Sequence, residues 1–173
     1  GVFMKLAVIG TGYVGLVGAA VFADWGNHVV GIDVDSEKIS KIKNGVMPIY
    51  EPGLKEVVLK NIDENRLLFT TSIAEGMKDA EVIFICVGTT QGETGAADLS
   101  AVWTVAQEIG EHLDSYKIIV TKSTVPVGTN EEVKKIIIDT KIKCHQIFTM
   151  DPQIRTIIIQ PLFVNFILFI IVT

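Results

Sequence analysis

The 173-residue sequence is poor in cysteine, proline and basic charge. Two cysteines, Cys86 and Cys144, cannot build a disulfide framework and suit a reducing compartment, so a cytoplasmic location is expected. Five prolines against fifteen glycines exclude linker-like or collagen-like sequence and point to tight turns and close backbone approaches. Lys and Arg number 15 against 20 Asp and Glu, a net charge of -5, which gives no electrostatic reason to expect a nucleic-acid footprint, since that needs a clustered basic face. The first residues carry no charged segment followed by an apolar run and a cleavage site, so no secretory signal is expected, and Met4 is read as the native start. What is present is a globular composition, 49% hydrophobic and 20% charged, at a length that suits one domain.

Short apolar runs alternate with helical segments along most of the chain. Strands are expected over Lys5–Ile9, His28–Ile32, Arg66–Thr70, Val82–Val87 and Lys117–Val120. Between them the pattern predicts helices over Val14–Trp25, Ser36–Lys43, Leu54–Lys60, Ile73–Lys78, a helix capped by Asp98 and running through His112, and one from Asn130 to about Ile138. Met47–Gly53 holds two prolines and reads as a loop, as does Gln91–Ala97. The strands are continuously apolar, so both faces of the sheet are covered. This is an α/β fold, a doubly wound parallel sheet with helices on both faces.

Gly10-Thr11-Gly12-Tyr13-Val14-Gly15 fits G-x-G-x-x-G between an expected strand and an expected helix, the context this pattern requires. Gly10 permits the tight turn out of the strand, Gly12 lets the backbone approach a pyrophosphate, and Gly15 lets the helix pack closely on the strand. The helix N-terminus presents its free N–H groups to the phosphates. Asp33 ends the second strand, eighteen residues after Gly15. An acid there accepts hydrogen bonds from an adenosine ribose and repels a 2′-phosphate, so a Rossmann-type site with NAD as cofactor is expected. The competing readings are a glycine-rich turn with a helix-capping acid and a methyltransferase glycine loop. Gly15 and the elements that follow count against the second. No metal site is expected. Cys86, inside an apolar strand, reads as a structural thiol.

AVIGTGYVGLV, PIYEPGL, VIFICVGT, ADLS and VTKSTVPVGT occur in this order from about Met4 to Ile138. Together they resemble the N-terminal half of the nucleotide-sugar dehydrogenase family, of the UDP-glucose 6-dehydrogenase type. That family oxidises the C6 alcohol of a UDP-sugar to a carboxylate in two NAD-dependent steps, through a thioester on a cysteine. The resemblance implies that Tyr13 and Val14 lie against the pyrophosphate. It implies that Asp33 binds the adenosine ribose with Lys38 beside it, and that Thr89 borders the nicotinamide-side ribose. Thr124 would reach the cofactor and help position a water near the reacting carbon, which makes it the catalytic candidate of this chain. Both threonines also stand at carboxyl ends of strands, where open α/β sheets bind ligands. No ligand role attaches to Tyr50 or Glu51.

The resemblance also shows what to miss. Cys144, in Lys-Cys-His, does not match the family's catalytic cysteine motif, and residues 142–155 lack its Asn-Pro-Glu-Phe-Leu segment. The chain is therefore expected to bind NAD without turnover, as the 4–138 cofactor domain of an enzyme whose complete form takes a UDP-sugar and forms homo-oligomers. Residues 139–173 read as a divergent apolar tail. A frameshift or truncation is the favoured origin. A sixth strand at Cys144–Phe148 is another reading, and a membrane anchor is disfavoured by Pro161 and two amides in the run. The functional alternatives are a dehydrogenase of GDP-mannose or a UDP-N-acetylhexosamine, or a non-catalytic nucleotide-binding module.

Overall fold

The computed structural model describes residues 3–89, 97–145 and 157–159. The chain runs β1 (Lys5–Ile9), α1 (Tyr13–Asp24), β2 (His28–Ile32), α2 (Ser36–Lys43), α3 (Leu54–Asp63), β3 (Leu67–Thr70), α4 (Ile73–Met77), β4 (Val82–Ile85), α5 (Ser100–His112), β5 (Ile118–Thr121), α6 (Thr129–His145) and β6 (Ile157–Ile159). The strands form one sheet in the order β3-β2-β1-β4-β5-β6. Every pairing is parallel. The order reverses beside β1: the chain winds outward from β1 to β3, then returns to pair β4 with β1 (Leu6 opposite Val82, Ile9 opposite Ile85). The carboxyl ends of β1 and β4 thus flank the switch point at which such sheets bind ligands.

Two cores follow from the strand period of two. Leu6 and Val8 of β1 pack with Leu16, Ala19 and Ala20 of α1 and with residues of α2 and α3. Ala7 and Ile9 face the opposite way, into a core with Met77 of α4, Ile109 of α5 and Ile137 of α6. Both faces of the sheet are covered, which is why the strands carry no polar alternation. Asp35 caps α2, its side chain accepting from the Lys38 N–H at 2.9 Å. Asp98 bonds the Ser100 N–H at 2.9 Å, but Leu99 holds the cap position of α5.

Two expectations change at the C-terminal side. The last helix runs past Ile138 to His145, because the buried spacing of Val133 and Ile137 continues and Lys141 Nζ donates to the Leu113 carbonyl at 2.6 Å. Cys144 therefore ends a helix and does not open a strand. The sixth strand is Ile157–Ile159, with Ile118 opposite Ile157 and Val120 opposite Ile159. The expected loop Gln91–Ala97 and residues 146–148 lie outside the described residues, save that Ala97 forms a bridge. Among the described residues, no helix is long and apolar enough to cross a membrane.

Candidate dinucleotide-binding site

The glycine loop leaves β1 through Gly10, whose φ of +100° suits glycine. A Cβ there would lie 2.7 Å from the Cys86 carbonyl oxygen. At Gly15 a Cβ would overlap the Gly10 carbonyl, so only glycine lets α1 seat against the loop. Gly12 differs from both, since nothing lies within 4 Å of the place its Cβ would take. It is the cap residue of α1, a helix with no side-chain cap and no acid in its first turn. The N–H groups at the start of α1 thus have no side-chain cap and lie beside open space at Gly12, at the positive end of the helix, a cradle for an anion. Tyr13 and Val14 are exposed beside it. The Tyr13 hydroxyl donates to Glu51 Oε2 at 2.8 Å, which ties the Pro-rich loop to the first residue of α1. The accepting Glu51 carboxylate raises the phenol pKa.

Asp33 follows β2, its side chain 9% exposed. Its Oδ2 accepts from the Thr11 N–H at 2.9 Å, the Thr11 hydroxyl at 2.8 Å and Lys38 Nζ at 2.8 Å. Oδ1 accepts from the Asp35 N–H at 3.1 Å. Burial pushes the carboxyl pKa up, but the bonds from Lys38, Thr11 and Asp35 outweigh it, and the group lies below the ordinary aspartate value. Thr11, fully buried, is the residue that sequence reasoning missed. It occupies a free x position of the glycine pattern, and its partner lies on the neighbouring strand's end.

Beyond β4 and β5 the two loops are laced together. The N–H groups of Lys122 and Ser123 donate to the Ile85 carbonyl at 2.8 and 3.2 Å, and the Ser123 hydroxyl donates to the Val87 carbonyl at 2.6 Å. The Thr89 hydroxyl donates to the Thr124 carbonyl at 3.0 Å. Thr89 and Thr124 therefore meet, and Cys86, three residues before Thr89, abuts the glycine loop through Gly10 and Gly15. Gly10, Gly12, Gly15, Asp33, Lys38, Thr89 and Thr124 share one end of the sheet, the carboxyl ends of β2, β1, β4 and β5. Burial pushes the Cys86 thiol up to about 12, so at neutral pH it is a packing residue and not a nucleophile.

The Asp33 geometry sets a pH expectation. A depressed carboxyl contributes stability that is full above its unfolded value, near 3.8, and is lost as pH falls through the lower folded value. The Asp33 carboxyl carbon should titrate by NMR below the ordinary aspartate range. Thr11→Val, which removes one donor, should move that midpoint up, and Thr11→Ser should restore it.

A parallel sheet with a glycine loop at its switch point and a held acid after β2 defines a dinucleotide-binding domain of the Rossmann class. The family model for the NAD binding domain of the UDP-glucose/GDP-mannose dehydrogenase family matches residues 4–164. The chain belongs to this dehydrogenase family and spans that domain. It is 54% identical over 133 residues to UDP-glucose 6-dehydrogenase TuaD of Bacillus subtilis, covering 77% of this chain and 29% of that protein. The UDP-glucose dehydrogenase structure from the archaeon Pyrobaculum islandicum superposes with a TM-score of 0.77 at 36% identity, covering 80% of this chain and 33% of that one. A ternary complex of GDP-mannose dehydrogenase from Pseudomonas aeruginosa gives 0.76 at 34%, covering 88% and 35%. The chain thus spans about a third of the length of these proteins.

The residues fit the cofactor that the family implies. The open cradle before α1 suits a pyrophosphate, and the Asp33 carboxylate is an acceptor suited to ribose hydroxyls.

Proposed function

We propose that this chain is the NAD-binding domain of a UDP-glucose 6-dehydrogenase, and that these 173 residues bind NAD without turning over a sugar nucleotide. The observation that carries the reading is Asp33, fixed at the end of β2 by Thr11 and Lys38 beside the open glycine loop. Gly12, Tyr13 and Val14 hold the pyrophosphate. Gly10 and Gly15 shape the loop, and Asp33 with Lys38 takes the adenosine ribose. Thr89 lies along the nicotinamide-side ribose, and Thr124 reaches the reacting end and helps position a water. When bound, NAD supplies the hydride acceptor. The nucleophile that such oxidation needs has no counterpart in Cys86, which stays protonated.

A UDP-glucose substrate for the complete enzyme is supported by the 54% identity to UDP-glucose 6-dehydrogenase TuaD over 133 residues. Dependence on NAD and the scarcity of cysteine suit a cytoplasmic enzyme. The test is a calorimetric titration of the chain with NAD and NADP, repeated with Asp33→Ala. Saturable NAD binding is expected, with NADP and the variant each weaker by at least about tenfold, the scale of a charge-assisted hydrogen bond. A folded chain that binds no NAD overturns the reading.

A further inference from the structure

We infer that Lys122 is a further ligand of the dinucleotide, a cation for its nicotinamide-side phosphate. The inference rests on the NAD reading above and deepens it. Lys122 follows the last residue of β5, and the strand registers fix its place. Gly10 continues the pairing of β1 with β2, Cys86 that of β4 with β1, and Lys122 that of β5 with β4. Their N–H groups donate to the carbonyls of Ile32, Ile9 and Ile85 at 2.7, 2.7 and 2.8 Å. Asp33, Gly10, Cys86 and Lys122 therefore stand side by side across the carboxyl ends of β2, β1, β4 and β5. The strand period of two turns this row toward the α1 side, since Val29, Val8, Phe84 and Val120, of the same parity in those strands, pack there. Cys86 packs there too, and the Lys122 ammonium is close enough to draw its thiol pKa down against the larger effect of burial.

Along this row Asp33 is proposed to take the adenosine ribose and the glycine loop the pyrophosphate, so the other half of the coenzyme runs over Cys86 toward Lys122. Neighbouring strands lie about 4.8 Å apart, which puts Lys122 roughly 10 Å from Gly10. An extended lysine side chain and one phosphate group together close that gap. The charge inventory agrees. Lys38 pairs with Asp33, Lys117 pairs with Asp114, and the Leu113 carbonyl holds the Lys141 ammonium. Lys122 is half-buried like Lys38 and Lys141, yet among the described residues it has no acid partner and its ammonium no acceptor. Cys86 cannot neutralise it, because the thiol stays protonated. A cation partly withdrawn from water without a counter-charge is costly, and an anion that supplies one there binds more strongly than it would at an open surface.

The experiment titrates NAD, ADP and AMP into the full chain and its Lys122→Met, Lys122→Gln and Lys122→Arg variants over a range of salt, with circular dichroism confirming the fold of each. ADP carries both phosphates of the coenzyme's pyrophosphate, and AMP only the adenosine-side one. Lys122→Met and Lys122→Gln should each weaken NAD and ADP at least about fivefold, the scale of a hydrogen bond to a charged group at a half-exposed site, and leave AMP unchanged. Their remaining NAD affinity should fall less steeply with salt than that of the native chain, and Lys122→Arg should keep most of the native affinity. In the native chain itself, NAD should shift the NMR signals of the Lys122 side chain and AMP should not. A merely structural lysine would affect all three nucleotides alike. Native NAD affinity in the folded neutral variants overturns the inference, as does an equal loss for AMP or a Lys122 signal that NAD leaves in place. If the native chain binds no NAD, the reading of the site falls and the inference with it. If it binds NAD and only these outcomes fail, the inference alone is lost.

Discussion

Gly15→Ala is expected to lower the thermal midpoint by roughly 6–12 °C and to weaken NAD binding at least about tenfold. The cause is local and steric. The added methyl would overlap the Gly10 carbonyl and stand 3.2 Å from Cys86 Cβ. Neither neighbour is the far end of a flexible side chain. Gly10 is itself pinned, since its N–H donates to the Ile32 carbonyl at 2.7 Å and its positive φ leaves little freedom. The strain must therefore move α1 away from the sheet, at a cost of about 3 kcal/mol, the upper part of the range for overpacking. Moving α1 also moves the N–H groups proposed to face the phosphates. Gly12→Ala is the control that separates the two effects. Its methyl would meet nothing within 4 Å, so stability should fall by about 1 kcal/mol or less. Affinity for NAD should still suffer, because the methyl enters the open space proposed for the pyrophosphate. Calorimetric melting and NAD titration of both variants check this. Equal melting of Gly15→Ala and Gly12→Ala would contradict it.

The contrast shows which parts of the site could be read from sequence. Each glycine's task is set by its immediate neighbours in the chain: a strand before it, a helix after it. A linear pattern therefore carries it, and Gly10, Gly12 and Gly15 take up the conformations that the pattern implies. Thr11 was not legible, because the partner that gives it meaning, Asp33, is 22 residues away across the β1–β2 pair. Glu51 was likewise opaque, its bond to Tyr13 spanning 38 residues. Lys38 was reached through the family resemblance, and its ion pair with Asp33 required coordinates. At the end of the chain the signal was local but ambiguous. The sixth strand was sought only at Cys144–Phe148, whose first residues the helix takes through His145, while Ile157–Ile159, read as part of an apolar tail, forms the strand.

Lys117→Met should cost about 3 kcal/mol of stability and leave NAD affinity unchanged. Lys117 precedes β5 at the end of the sheet opposite the cofactor site and is 1% exposed. Its ammonium donates to the carbonyls of Lys78 and Ala80, each at 3.0 Å, and lies 3.4 Å from the Asp114 carboxylate. Lys78 and Ala80 follow α4, so the cation sits at the negative end of that helix. Methionine has a similar length and fills the space without a donor. Replacing a buried ion pair by apolar side chains is often neutral, because both charges leave together. Here the partners are main-chain carbonyls, which the substitution cannot remove, so it leaves the buried Ala80 carbonyl and the partly buried Lys78 carbonyl without the ammonium. A midpoint lower by roughly 6–12 °C is expected for a chain of this size. Since β5 separates Lys117 from Thr124, the loss should not reach the coenzyme end, and the folded variant should titrate with NAD as the native chain does. Denaturant unfolding and NAD titration of the one variant decide the matter. Native-like stability would mean that the desolvation of the ammonium had cancelled its bonds, and weakened NAD binding would mean that the two ends of the sheet are coupled.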